Sequence, residues 1–125
     1  MRFAKLVFGI AGAWGLIVIF PLYFLLDSVG RLTPPPVTHP EYYYGFVGVA
    51  MAWQLAFLVI ASAPDRFRPM MIPSVLEKLG FAFALIVTYL QHRITSVQLL
   101  PAIPDGLFAI LFTIAFVKTK ARDTA

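Results

Sequence analysis

The chain has 125 residues, of which 60% are hydrophobic and only 13% charged, and its mean hydropathy is +0.83. Soluble domains carry about a quarter charged residues, and so short a soluble fold could not bury this much apolar surface, so lipid is the solvent the composition calls for. The net charge of +4 does not point to nucleic acid, because Lys and Arg stand at the ends of apolar runs, where topology and anionic headgroups place them. The absence of cysteine excludes disulfides, thiolate metal sites and thiol redox chemistry.

The first predicted element is a membrane-spanning helix over about 5–26. Leu6 to Leu26 carries no charge, and about 20 apolar residues cross a hydrocarbon core of ~30 Å. Arg2 and Lys5 resemble the basic start of a signal peptide, but the run exceeds the ~7–15 residues of a cleavable segment, so a retained helix is expected. Gly9, Gly12 and Gly15 cluster on it, and Pro21 could kink its end. Residues 27–38 read as a stiff external loop, with four prolines between Thr33 and Pro40.

The second helix is expected over 39–62. Thr38–His39–Pro40–Glu41 matches a capping box, and Pro40 falls in the first turn, where its missing N–H costs nothing. Gln54 interrupts the apolar run from Tyr43 to Ser62. Gly48, Ala52 and Ala56 recur every four residues, with Gly45 nearby. Such a stripe allows close approach of helices in lipid, either of helices one and two within the chain or across a dimer interface.

Residues 63–73, with Pro64, Pro69 and Pro73, form a cytosolic connector. The uncharged run between Lys78 and His92 is too short to span, so the third helix must borrow residues across its charge. Ser74–Val75–Leu76–Glu77 matches the capping box and predicts a start there, giving a helix over 74–92. The fourth is expected over 99–118. The fold class is then an all-α integral membrane protein, an antiparallel bundle of four transmembrane helices. Arg2 and Lys5, then Arg66, Arg68 and Lys78, then Lys118, Lys120 and Arg122 fall on one face, with only Arg31 and Arg93 opposite. The positive-inside rule makes both termini cytoplasmic in a multi-pass inner (plasma) membrane protein.

Few polar groups stand apart from this architecture. Gln54, beside Trp53, needs one interhelical partner. Lys78 can snorkel to the headgroups, leaving Glu77 either to cap its helix with Ser74 or to face the bundle. Adjacent helical residues point about 100° apart, so Glu77 and Lys78 are not expected on one face. On the outer side stand Asp27, His39, Glu41, His92 and Asp105 with Tyr42, Tyr43 and Tyr44. They could converge on a ligand, yet each sits at a helix end, where water and an aromatic belt account for it. The histidines lack metal-ligand spacing and lie on one side, so neither a metal nor a bis-histidine haem is expected, and no cofactor or catalytic residue is assigned.

The segments His39–Pro40–Glu41 through Tyr44–Gly45–Phe46 and Arg66–Phe67–Arg68–Pro69 through Glu77–Lys78–Leu79–Gly80 resemble four-span families of small bacterial inner-membrane proteins. That resemblance implies the span count and the membrane but no activity. In architecture alone the chain is also similar to DoxX-like proteins and sterol-isomerase-like domains. The leading functional expectation is a non-enzymatic accessory or structural subunit, partnered by the bilayer, by its own copies or by another membrane protein. The alternative is a membrane enzyme or carrier for a lipophilic small molecule, with a pocket drawn from Gln54, Trp53 and Glu77 or from Glu41, His92 and Asp105.

Overall fold

The computed structural model describes residues 1–120. Its elements are α1 (Arg2–Ile19), a 3-10 turn (Phe20–Phe24), α2 (Leu26–Leu32), α3 (Pro40–Ser62), a 3-10 turn (Arg68–Met70), α4 (Met71–Leu90) and α5 (Ala102–Lys118). No strand occurs among the described residues. Arg2–Phe24, Pro40–Ser62 and Arg68–Leu90 are each 23 residues of apolar helix, long enough to cross a membrane. At 1.5 Å per residue each measures about 34 Å, whereas the 17 residues of α5 give about 25 Å. Ile17, Phe83, Leu90 and Val117 are more than two-thirds exposed, an outward apolar surface of the kind that faces lipid.

Local chemistry explains where the helices stop. Pro21 supplies no N–H, and the α-helical pattern gives way to 3-10 geometry at Phe20, with the Tyr43 hydroxyl donating to the Leu22 carbonyl at 2.7 Å. Residues 27–38 are not all loop, since α2 (Leu26–Leu32) takes up the first half of that segment. Pro40 opens α3 as its first helical residue, but the N-cap is His39 rather than Thr38, and no side chain caps it.

The capping box at Ser74 does not form. The helix already runs from Met71 with Met70 as its N-cap, and the Ser74 hydroxyl bonds back to the Met70 carbonyl at 2.7 Å. This is the usual outcome for a serine inside a helix, where the hydroxyl satisfies itself on the preceding turn. The pattern is instead realised at Thr95–Ser96–Val97–Gln98. There the Thr95 amide donates to Gln98 Oε1 at 2.8 Å, and the Gln98 amide donates to Thr95 Oγ1 at 3.4 Å.

α4 ends on His92, which takes φ 60°. The Arg93 amide bonds the Thr88 carbonyl and the His92 amide bonds the Tyr89 carbonyl, both at 3.0 Å. These are the two closing bonds of a Schellman motif, with His92 in the left-handed position that usually belongs to glycine.

The long helices pack antiparallel. Gly9 faces Ala61, Gly12 faces Leu58 and the Gln54 carbonyl, and Gly15 faces the Gln54 side chain. A Cβ on Gly12 would lie 2.8 Å from the Gln54 backbone oxygen, so the absence of a side chain is what lets α1 approach α3. The stripe on α3 does not mirror this. Gly45 has nothing within 4 Å of a Cβ position, Ala52 is exposed, and Gly48 meets only the Tyr23 hydroxyl at 3.5 Å. Ala56 is half-buried. Packing of α1 on α3 therefore uses the α1 glycines against Gln54, Leu58 and Ala61.

At one end the bundle closes on aromatic rings. Phe8 and Phe112 stack with centroids 4.1 Å apart, and Phe57 meets Phe112 edge-on at 5.0 Å. All three are fully buried, with Ala4, Ala11, Ala115 and Met71 beside them. Arg68 ties α4 to α5 there, its Nε donating to the Phe116 carbonyl at 3.1 Å and its guanidinium lying 3.8 Å from the Phe116 ring centroid. This satisfies a last-turn carbonyl that the helix itself leaves free.

Candidate functional site

Beyond the aromatic end, the helices border a partly open cavity of about 310 Å³. Its walls are Trp14 and Val18 from α1, Phe46 and Gln54 from α3, Glu77, Lys78 and Phe81 from α4, and Pro104 and Asp105 from α5. Apart from the four residues Gln54, Glu77, Lys78 and Asp105, the lining is apolar or aromatic. No hydroxyl, thiol or imidazole lines it, so any chemistry there runs through carboxylates, an amide and an ammonium.

Lys78 is the centre of the site. It is only 5% exposed, and its Nζ lies 3.8 Å from Glu77 Oε2 and 3.8 Å from Asp105 Oδ1. Both separations exceed hydrogen-bonding reach, so the ammonium sits loosely between two carboxylates. The Phe57 and Phe108 rings lie 5.1 and 5.5 Å from the same nitrogen and supply cation–π attraction in a dry surrounding. Lys78 comes ten residues after Arg68, about 15 Å along a helix of 23 residues, near the middle of the element.

Two expectations are corrected here. Lys78 does not snorkel outward; it is buried inside the bundle. Of the two readings of Glu77 the cap does not form, and the side chain lines the same cavity as Lys78, which the 100° between adjacent helical residues argues against. The physical reason is the width of the opening. A cavity bounded by four helices subtends a broad arc of α4, and the long lysine stem bends back toward its neighbour.

Gln54 is 2% exposed, and its Nε2 donates to the Ala50 carbonyl at 2.9 Å. That bond uses one of its two N–H donors locally. Gln54 Oε1 and Glu77 Oε2 are buried and have no hydrogen-bond partner among the described residues. Buried polar atoms are nearly always hydrogen-bonded; Glu77 Oε2 has instead the Lys78 ammonium at 3.8 Å.

Of the residues that sequence alone marked as candidates, Gln54, Glu77 and Asp105 meet at this cavity. Asp105 was expected on the outer side; α5 begins deep enough for its first turn to reach Lys78. Trp53 instead packs on Phe57, ring centroids 6.2 Å apart, with the core. Glu41 is exposed and pairs with His39 Nδ1 at 3.2 Å. His92 is exposed and ends α4, so the outer trio of Glu41, His92 and Asp105 does not assemble. Lys78 is the residue that sequence reading missed. The signal was available: a lysine near the middle of an apolar helix faces the bundle unless it can reach water. Among the described residues no three His, Cys, Asp or Glu side chains are grouped to hold a metal ion.

No protein-family model, curated protein or solved structure matches the chain. Fold and site therefore define it only as an all-helical protein with three helices long and apolar enough to cross a membrane. The charged cavity between those helices is its distinguishing feature.

Proposed function

We propose that the chain is a four-span inner-membrane protein, both termini cytoplasmic, that binds or carries a lipophilic small molecule between its helices. The observation that carries this reading is the convergence of Gln54, Glu77, Lys78 and Asp105 on one cavity of about 310 Å³. Ionisable groups inside a membrane bundle are costly and commonly mark a ligand or ion path. A volume of this size lies at the lower end of small-molecule sites.

The fourth span rests on α5, whose Phe112 is buried against Phe8 and Phe57. The turns before Ala102, or a locally thin bilayer, supply the length α5 lacks. The orientation rests on Arg2, Lys5, Arg66, Arg68, Lys118 and Lys120; Arg122 lies outside the described residues.

Ala50, buried and lining the cavity, offers a clean test. Ala50→Phe fills the space, so an apolar fluorophore that binds the wild-type chain in nanodiscs is excluded, while the fold survives. Equal binding by the two proteins removes the reading. A protease-cleavable tag after Ala125 that is cut only in inverted vesicles supports the orientation; cleavage from outside intact cells refutes it.

A second reading, an accessory or oligomer-forming subunit, is favoured by the outward face of α3. Gly45 and Ala52 are seven residues apart, hence on one face, and both are exposed. In a cysteine-free chain, Ala52→Cys reports directly: disulfide-linked dimers in native membranes support this reading, and unchanged monomer opposes it.

A further inference from the structure

We infer that the cavity is loaded sideways from the bilayer and holds the hydroxyl head of a long-chain lipid, whose chain stays outside the helices. This rests on the cavity being a ligand site and adds the route into it and the class of molecule that takes that route.

The walls decide where a ligand enters. Phe8, Phe57 and Phe112 close the deep end. Phe46 and Phe81 meet across α3 and α4 with ring centroids 5.6 Å apart. Gly15 lies on the Gln54 side chain between α1 and α3, and Lys78 faces Asp105 at 3.8 Å between α4 and α5. The remaining side is α1 against the start of α5. There Trp14 and Val18 line the cavity from one helix, and Leu100 and Pro101 line it from the turn before the other. Trp14, Val18 and Leu100 are 50, 44 and 56% exposed, and Pro101 is exposed too.

Mouth and floor differ in kind. The exposed lining residues, those four and Phe46, are all apolar or aromatic. The polar ones lie deep: Gln54 and Lys78 are buried, and the Glu77 and Asp105 side chains are each 18% exposed. An exposed apolar rim of this kind faces hydrocarbon rather than water. Leu100 also borders a shallow groove of about 320 Å³ lined by Ile86, Leu99, Ala102 and Ile103, with Ser96 its one polar residue. A small cavity with an apolar mouth beside such a groove suits a molecule with a compact polar head and an apolar chain.

The floor selects the head. Lys78 opposes a cationic head there, and Glu77 and Asp105 oppose an anionic one, near the middle of a membrane-length helix where unpaired charge costs most. A hydroxyl donates and accepts without carrying charge. It accepts from Lys78, whose Nζ lies beyond hydrogen-bonding reach of both carboxylates. It donates to Glu77 Oε2, which has no hydrogen-bond partner among the described residues.

The test uses the full chain in phosphatidylcholine nanodiscs, in a Trp53→Phe background that leaves Trp14 as the one indole. The probe is hexadecan-1-ol carrying pyrene at the chain end, read by energy transfer from Trp14. Saturable transfer is expected, displaced by unlabelled hexadecan-1-ol. The methyl ether of that alcohol, hexadecylamine and hexadecanoate should each displace it about tenfold less well, since the first cannot donate and the others are charged. Val18→Phe narrows the mouth and should weaken the probe by a similar factor. Ile110→Phe, on an exposed position of α5 outside the cavity lining, should leave binding unchanged.

Probe binding to Val18→Phe equal to wild type overturns the proposed entry. Ether or charged heads displacing the probe as well as the alcohol overturn the hydroxyl assignment. Saturable binding of 2-phenylethanol by Trp14 emission, with none of the pyrene probe, makes the cavity a closed site for compact molecules, so this inference falls while the ligand site stands. No saturable binding of any of these compounds removes both.

Discussion

From Ala4 to Ala11, α1 buries Ala4, Val7, Phe8 and Ala11 in the bundle, with Phe8 against both Phe57 and Phe112. One turn further along the same helix, at Gly15, α3, α4 and α5 border a cavity lined by two carboxylates, a lysine and a glutamine. The two ends share helices, solvent and chain, so their difference lies in the side chains. The aromatic end holds the bundle together by dispersion and shape, with Arg68 and Lys118 lying over the rings of Phe116 and Phe3. The cavity end gives up that packing and places ionisable groups where they cost most. A fold selected for stability alone would have filled it with leucine.

If that division is right, the largest effect comes from emptying the closed end. Phe112→Ala removes the ring that both Phe8 and Phe57 contact and should destabilise the chain by about 3–5 kcal/mol, read by reversible unfolding in detergent. A loss close to zero would mean the aromatic cluster is not the closure. Next come the glycines. Gly12→Ala drives a methyl into the Gln54 backbone oxygen and should cost about 1–3 kcal/mol by forcing α1 from α3. Gly45→Ala meets open space and, through helix propensity alone, should stabilise the chain by up to about 1 kcal/mol. Equal penalties for the two would show that α1 and α3 do not meet along the α1 glycines.

The smallest effect is expected at His92. If its work is to hold the left-handed residue that ends α4, His92→Gly should leave ligand binding intact and stabilise the chain by up to about 1 kcal/mol. A loss of binding with unchanged stability would return His92 to the list of functional residues.

The helical, apolar character of the chain was legible from composition and from the uncharged runs of the first two long helices. The boundaries that depend on a single hydrogen bond were not. Ser74–Glu77 and Thr95–Gln98 carry equivalent capping patterns, and only the second forms, because Ser74 lies inside a helix already begun at Met71. Gln54 and Glu77 were legible as polar groups in need of a partner. Their meeting with Asp105 was not, since it depends on how far α5 reaches along α4, a register that no local pattern specifies. Lys78 was misread for a related reason. In a helix that starts at Ser74 it falls in the first turns, near the headgroups, whereas in the element Arg68–Leu90 it falls near the middle.

The central claim is that Lys78 neutralises carboxylates inside the bundle and that these groups serve binding rather than folding. Thermal unfolding of two variants in identical nanodiscs tests it most directly. Lys78→Met alone leaves Glu77 and Asp105 uncompensated and should cost about 3 kcal/mol or more. Adding Glu77→Gln and Asp105→Asn removes the stranded charge and should restore stability to near wild type while weakening ligand binding. A Lys78→Met protein as stable as wild type would place that ammonium in the headgroups and contradict the account.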